Sequence, residues 1–299
     1  MHPGQWSVST ATVRMLIAEQ FPRGCGLEVR AVPGPGTLNA IFRIGDEFVA
    51  RFPIVPESVG AARKRLHAEA AAAEELFGRT PIATPCPIAI CEPGAGYPLP
   101  WSIYTWLPGE IATADSCSAS NSFATSLGDF ISAVRALDTC GRTYPGSGRG
   151  GELATHDDWM QECLRNSERL LDVGTLSAIW NEMRDISRGD DADVMNHADL
   201  MPQNLLVRDG RLTGVLDVGG LRAADPALDL VSAWHLLDAD RREVLQDRLG
   251  CGEAEWLRGR AWAFEQAMGA VWYYADSNPA MSAGCRRTLE RIVGDVRPI

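Results

Sequence analysis

The chain has 299 residues, 45% of them hydrophobic and 22% charged, the composition of an ordinary globular protein long enough for two lobes. No apolar run approaches the roughly 20 residues of a membrane span, and the opening Met-His-Pro-Gly-Gln-Trp lacks a signal peptide's basic and apolar regions, so a cytoplasmic location and no membrane partner are expected. The net charge of −11 arises in residues 101–299, with 19 Arg/Lys against 30 Asp/Glu; this argues against nucleic acid as a partner and suits a cationic small molecule or simply a solvated acidic surface.

Along the chain, apolar positions Val13, Leu16, Ile17 and Phe21 recur at helical spacing and predict a short helix over 7–21. Strands are expected at 27–32, 39–44 and 47–52, with Pro33-Gly34-Pro35-Gly36 and Gly45-Asp46 as the intervening turns. Residues 60–77 are rich in alanine and glutamate and predict a helix. Pro81, Pro85 and Pro87 end it, and strands at 88–91 and 101–106 follow. From about residue 120 the pattern is helical, at 121–138, 157–172, 175–186, 226–249, 253–275 and 280–294. The segment 141–151, with its many glycines, reads as a long flexible loop. Eight scattered cysteines form no C-x-x-C; they are expected to be reduced and structural, since even the nearest pair, Cys86 and Cys91, lacks histidine partners for zinc.

One stretch interrupts the helices. Asp199 is followed by Asn204 and, after an expected strand–turn–strand built on Leu205–Val207, Arg208-Asp209-Gly210-Arg211 and Leu212–Leu216, by Asp217. A hairpin brings its ends together. A carboxylate to take a proton, with an amide oxygen and a second carboxylate to hold Mg²⁺, meets the needs of phosphoryl transfer.

In this order the features resemble the aminoglycoside phosphotransferase family, small-molecule kinases with a protein-kinase-like fold. The likeness rests on the glycine turn with Gly34, Gly36, Thr37 and Asn39, on Glu69 in the alanine-rich helix, and on the connector Trp101–Gly109. His197-Ala198-Asp199, Asn204, Asp217 and the segment Asp225–Leu230 complete it. The resemblance implies an α+β, bilobal protein-kinase-like fold: a β-rich nucleotide-binding lobe over 1–106 and a mainly helical catalytic and substrate-binding lobe over 107–299. It implies Asp199 as catalytic base, Asn204 and Asp217 as Mg²⁺ ligands, and ATP or GTP as phosphoryl donor. Gly34, Gly36, Thr37, Asn39, Arg51, Glu69, Tyr104 and Trp106 are the implied nucleotide-binding residues, with backbone groups of 102–107 on the base. The implied acceptor is a hydroxyl of an aminoglycoside or macrolide type of antibiotic, with a nucleoside or peptide antibiotic as the alternative.

Three departures from the family pattern stand out. Lys64 is the sole lysine and lies in a basic cluster on the helix, which excludes a Gly-Lys-Ser/Thr phosphate loop and leaves Arg51 to fill the strand-lysine role, paired with Glu69. Ala198 stands where the family usually has glycine, tolerable unless its dihedral is left-handed. Val218 replaces a common aromatic residue. Asp225 and Asp229 are expected to cap a helix start and brace the catalytic loop, His197 to shape that loop, and Asp157 and Asp158 to cap the next helix. Trp234, Trp262 and Trp272 suit either core or pocket. Two competing readings remain: a catalytically silent nucleotide-binding relative, and a phosphohydrolase built on His156, Asp157, His197 and Asp199.

Overall fold

The computed structural model describes residues 5–33, 38–189 and 191–295, so Gly34, Gly36 and Thr37 lie outside the described residues. The chain divides into two compact units, Met1–Gly78 with Ala83–Pro108 and Leu216–Gly219, and Arg79–Ile82 with Gly109–Val215 and Gly220–Ile299.

The first unit is built on a five-stranded antiparallel sheet. Helix α1 (Thr10–Gln20) starts at Ser9, whose hydroxyl accepts the Thr12 N–H. Strands β1 (Val29–Ala31), β2 (Asn39–Ile44) and β3 (Phe48–Pro53) follow, then helix α2 (Val59–Leu76), β4 (Pro87–Cys91) and β5 (Trp101–Thr105). The sheet order is β1-β2-β3-β5-β4. On β3, Phe48, Ala50 and Phe52 face the core, which turns Val49 and Arg51 to the opposite face. Phe52 stacks on Trp101 with ring centroids 4.7 Å apart and meets Phe42 and Tyr97 edge-on, while Val13, Leu16 and Ile17 of α1 join the same core. On α2, Ala62, Leu66, Ala70, Ala73 and Leu76 make the buried stripe, and Lys64 is exposed.

The second unit is mainly helical. Strands β6 (Glu110–Ile111), β7 (Val194–Asn196), β8 (Leu205–Arg208), β9 (Arg211–Val215) and β10 (Arg222–Ala224) form two small antiparallel sheets, β6-β8-β9 and β10-β7. The hairpin expected over 205–216 is present: Asp209 (φ 51°) and Gly210 (φ 70°) occupy the left-handed region that a two-residue hairpin turn requires. Among the helices, α3 (Ala114–Cys117), α4 (Asn121–Arg135), α5 (Asp157–Ser167) and α6 (Val173–Met183) precede this part, and α7 (Val231–Leu236), α8 (Ala239–Leu249), α9 (Glu253–Tyr273) and α10 (Pro279–Asp295) follow it.

The single helix expected over 226–249 is three pieces. A 3-10 turn spans Pro226–Leu230, α7 follows, and Leu237 in extended conformation breaks the run before Asp238 caps α8 through the Arg241 N–H. Asp157 and Asp158 do not act as N-caps: they lie in the first turn of α5, His156 occupies the cap position, and Asp157 accepts from Trp180 Nε1 at 2.9 Å and from Arg184. Trp234 and Trp262 are core residues, 1% and 0% exposed. All eight cysteines are unbridged.

Candidate active site

In the helical unit, the turn from β7 to β8 carries Asp199 and Asn204. Its shape is set from beneath by Asp229, fully buried within the 3-10 turn Pro226–Leu230, which accepts the His197 N–H at 2.6 Å and the Ala198 N–H at 2.8 Å. Burial pushes the Asp229 carboxyl above its ordinary value, against the lowering effect of His197 and of the two amides. Asp225 fills the companion role: it accepts the Ala227 N–H at 2.9 Å and pairs with buried Arg258 at 2.6 Å. Asp229 therefore braces the catalytic loop as the sequence predicts, while Asp225 caps the 3-10 turn and, through its N–H to Gly150 O and its pair with Arg258, helps hold the segment 148–151 instead. His197 is buried, its Nδ1 accepting the Asp199 N–H at 3.3 Å, so it shapes the loop.

Ala198 has φ 70°. The condition under which its methyl group is unfavourable is met, because an L-residue in the left-handed region crowds its Cβ against the backbone. Gly220 makes room there: a Cβ on it would stand 3.1 Å from the His197 carbonyl oxygen.

Asp199 is held from both sides. Asn204 Nδ2 donates to its Oδ2 and to its carbonyl, each at 2.9 Å, so the amide is fixed with its nitrogen toward the loop and only its oxygen left to serve as a cation ligand. Gln266 Nε2 donates to Oδ1 at 3.1 Å, and Arg149 Nη2 lies 3.4 Å from the same oxygen. Gln266 is itself oriented by buried His235, whose Nε2 meets Gln266 Oε1 at 3.3 Å and whose Nδ1 meets Thr288 Oγ1 at 2.9 Å. Burial pushes His235 down to about 4, so the ring is neutral at pH 7 and Nε2 is the donor to the amide oxygen.

Sequence reasoning missed Arg149, Gln266 and His235. A signal for one of them was present: Glu265-Gln266 is a polar pair inside the apolar run Ala261–Val271 of α9, and polar side chains on a buried helix face are there for a partner. Arg149 lies in the segment expected to be flexible. Instead, four consecutive carbonyls are captured there. Gly148 O accepts from Tyr144 Oη at 2.5 Å and from His156 Nε2 at 3.1 Å, and Arg149 O accepts from Arg222 Nη2 at 3.1 Å. Gly150 O accepts from the Asp225 N–H at 3.0 Å, and Gly151 O from Arg258 Nη2 at 2.7 Å. Gly150 has φ 103°, and a Cβ there would stand 2.7 Å from that of Ala224. His156 also faces Glu265 at 2.9 Å, and this hydrogen bond, opposed by burial and aided by the charge of Glu265, holds its imidazole above the ordinary value. A cavity of about 370 Å³ borders this loop, lined by Tyr144, Ser147, Thr155, His156, Trp159 and Glu265. A larger one, about 670 Å³, lies among the connection 168–172, α6 and α10 and includes none of the predicted site residues.

In the sheet unit, the arginine on β3 is where the register predicts it. Its partner differs from the expected one: Arg51 Nη2 donates to Asp217 Oδ1 at 2.8 Å, whereas Glu69 pairs with Arg65 at 2.8 Å, one helical turn away on α2. Burial opposes the charge on Arg51, but Asp217 and then Glu69 outweigh it and hold the guanidinium above its ordinary value. Asp217 has φ 55°, and Gly219 lets the chain pass Glu69, whose Cγ would lie 2.7 Å from an added Cβ. Arg51 also lies 5.7 Å from the ring of Tyr104, which is buried and pushed up to about 12 by burial. Asn39 opens β2 with its Oδ1 buried and unpartnered among the described residues. The expectation that residues 102–107 offer backbone bonds to a base narrows: Thr105 N–H donates to Cys86 O at 2.9 Å and Trp106 N–H to Glu47 O at 2.7 Å.

The sequence pattern of the phosphotransferase enzyme family, APH, matches residues 29–262. The chain belongs to this family. Among curated proteins, an aminoglycoside 3'-phosphotransferase of Escherichia coli is 25% identical over 155 residues, which cover 50% of this chain and 56% of that protein. The chain thus matches little more than half the length of that curated relative. Among solved structures, the GDP complex of wild-type aminoglycoside 2'-phosphotransferase-IIIa superposes with a TM-score of 0.69 at 17% identity, covering 96% of this chain and 99% of that one. The macrolide 2'-phosphotransferase MphH of Brachybacterium faecium gives 0.60 at 18% identity, covering 97% and 99%. At these identities the structural likeness establishes the fold, the α+β bilobal kinase-like fold the sequence predicts.

Proposed function

We propose that this member of the family is a cytoplasmic kinase of small molecules, which moves the γ-phosphate of ATP or GTP to a hydroxyl of an antibiotic-like acceptor of aminoglycoside or macrolide type. The observation that carries the reading is the clasp on Asp199. Asn204, Gln266 and Arg149 all donate toward one carboxylate, and two amides of the same loop are fastened to Asp229. A carboxylate held in this way orients a hydroxyl and accepts its proton as the hydroxyl oxygen attacks phosphorus. Asp199 keeps 39% of its side-chain surface exposed, so an acceptor can reach it.

The sheet unit would hold the nucleotide, with a boundary near residues 106 and 107. Arg51 supplies fixed positive charge for its phosphates, Glu69 and Asp217 tune that charge, and Asn39 adds a buried amide oxygen, without a partner among the described residues, that can accept from a nucleotide hydroxyl or amino group. Because the Thr105 and Trp106 amides are taken, the Leu107 amide is the next one on the connector for the base. The residues suit Mg²⁺ by chemistry: Asn204 and Asp217 offer hard oxygen donors, and among the described residues no group of three His, Cys, Asp or Glu side chains suggests another ion. Bound there with phosphate oxygens, Mg²⁺ would offset the charge developing on the transferred group.

Support for the acceptor class comes from the family and from the names of the relatives, aminoglycoside and macrolide phosphotransferases. The test is a coupled kinase assay over an antibiotic panel, with ATP and GTP supplied separately. Asp199→Asn should lower turnover by roughly 10²–10⁴-fold, the usual contribution of a general base. Full turnover in that variant would refute the assignment.

A further inference from the structure

Nothing in the family reading accounts for Arg149. Its loop is fastened at four successive carbonyls, yet the side chain so presented makes only long contacts: Nη2 is 3.4 Å from Asp199 Oδ1 and 3.5 Å from Ala198 O. Its other terminal nitrogen, Nη1, is buried with no partner among the described residues. Arg222, which holds the Arg149 carbonyl, has its Nε in the same condition. Burial, and then the charge of Arg149, keep the Arg222 guanidinium below its ordinary value.

Two neighbouring cations with buried, unfilled N–H groups are unfavourable on two counts, lost hydration and mutual repulsion. Asp199 and Asp229 relieve part of this through charge, but neither accepts from the unfilled nitrogens. A planar guanidinium fork matches the oxygens of phosphate or carboxylate, and the rigid loop removes the entropy cost of holding it ready.

We infer that Arg149, supported by Arg222, forms an oxyanion subsite beside Asp199, which receives the anionic oxygens either of the phosphoryl group in transit or of a carboxylate on the acceptor. The first source rests on the proposed function. There, the bond from acceptor oxygen to phosphorus forms as the bond from phosphorus to the nucleoside diphosphate breaks. The hydroxyl proton passes to Asp199, and Arg149 donates to oxygens that remain anionic throughout. The second source departs from the proposed acceptor class: it would make the subsite a determinant of specificity for acceptors that carry a carboxylate.

The experiment titrates the full chain with inorganic phosphate, and separately with acetate, by calorimetry. Wild type is compared with Arg149→Gln and Arg149→Lys, and thermal midpoints report folding. Phosphate affinity should fall roughly tenfold or more in Arg149→Gln, the loss of one charge-assisted hydrogen bond, and recover only in part in Arg149→Lys, which keeps the charge without the fork. Equal phosphate affinity in wild type and Arg149→Gln overturns the subsite. Should Arg149→Gln fail to fold, Arg149→Met, which keeps the apolar stem, takes its place. Kinetics separate the two sources. A lower kcat at constant acceptor KM, whatever the acceptor, marks the phosphoryl group. A higher KM confined to carboxylate-bearing acceptors marks the acceptor. A wild-type protein that transfers phosphate to nothing counts against the proposed function, while the phosphate titration still decides the subsite.

Discussion

Two arginines in this molecule meet an aspartate of the predicted site, and they are held in place by opposite means. Arg51 projects from the middle of β3, where pairing to β2 and β5 on either side fixes the backbone and strand alternation fixes the face. Arg149 projects from a segment with no regular structure, fixed only because Tyr144, His156, Arg222, Asp225 and Arg258 each bind a carbonyl. A sheet positions a side chain through many equivalent bonds, so no single neighbour is decisive. A loop does so through a few unlike bonds, each specific to one residue. The irregular side should therefore be the brittle one.

The sharpest way to break this comparison sets a brace of the catalytic loop that Arg149 meets against the strand arginine itself. Asp229→Ala strands two buried amides of the catalytic loop and should cost roughly 2–4 kcal/mol in denaturant unfolding, after allowance for the relief of a buried charge. Arg51→Ala, whose partner Asp217 is half exposed, should cost about 1 kcal/mol or less, although it would impair use of the nucleotide. Equal losses would contradict the contrast between strand and loop.

A smaller effect of opposite sign is expected at Ala198. Glycine relieves a left-handed alanine, a strain of about 1–2 kcal/mol, and loses about half of that gain to its own freedom when unfolded. Ala198→Gly should therefore raise the thermal midpoint slightly. A drop would mean that the methyl group packs better than its dihedral suggests.

The smallest expected effect is pH-linked. His156 has its folded value raised above an ordinary 6.5 by Glu265, so its contribution is fully present below the unfolded value and is lost as pH rises through the folded one. His156→Gln should thus lower stability most in mild acid, by roughly 0.5 kcal/mol, and converge with wild type in mild alkali. A gap independent of pH would show that the imidazole holds Gly148 without its second proton.

What could be read from the sequence follows the same division. The sheet of the first unit, the hairpin 205–215, the cap Asp225 and the brace Asp229 are legible because period-two alternation, an Asp-Gly turn and a proline after a capping aspartate act over a few residues. The break at Leu237 escaped because the charged run Asp238–Glu243 after it favours helix as much as the apolar run before it, and only the capping residue Asp238 marks the new start. Glu69 reaches Arg51 through charge and not through direct contact because Arg65 stands one helical turn away and pairs with it, a competition the strand-to-helix pattern does not encode. Arg149 was hidden by its neighbours: glycines signal freedom locally, while the anchors that remove that freedom lie up to 107 residues away, as with Arg258 and Gly151.

Lys64, exposed on α2, is the only side-chain primary amine in the protein. Reagents that mark nucleotide sites by acylating a lysine therefore have no target on β3, and trypsin cuts at arginine everywhere but one position. Dicarbonyl reagents selective for guanidinium groups are the matching probes, and protection of Arg51 and Arg149 by different ligands would map the two ends of the reaction separately. Conversely, a single tag placed on Lys64 labels the protein at one defined side chain, away from the buried stripe of its helix.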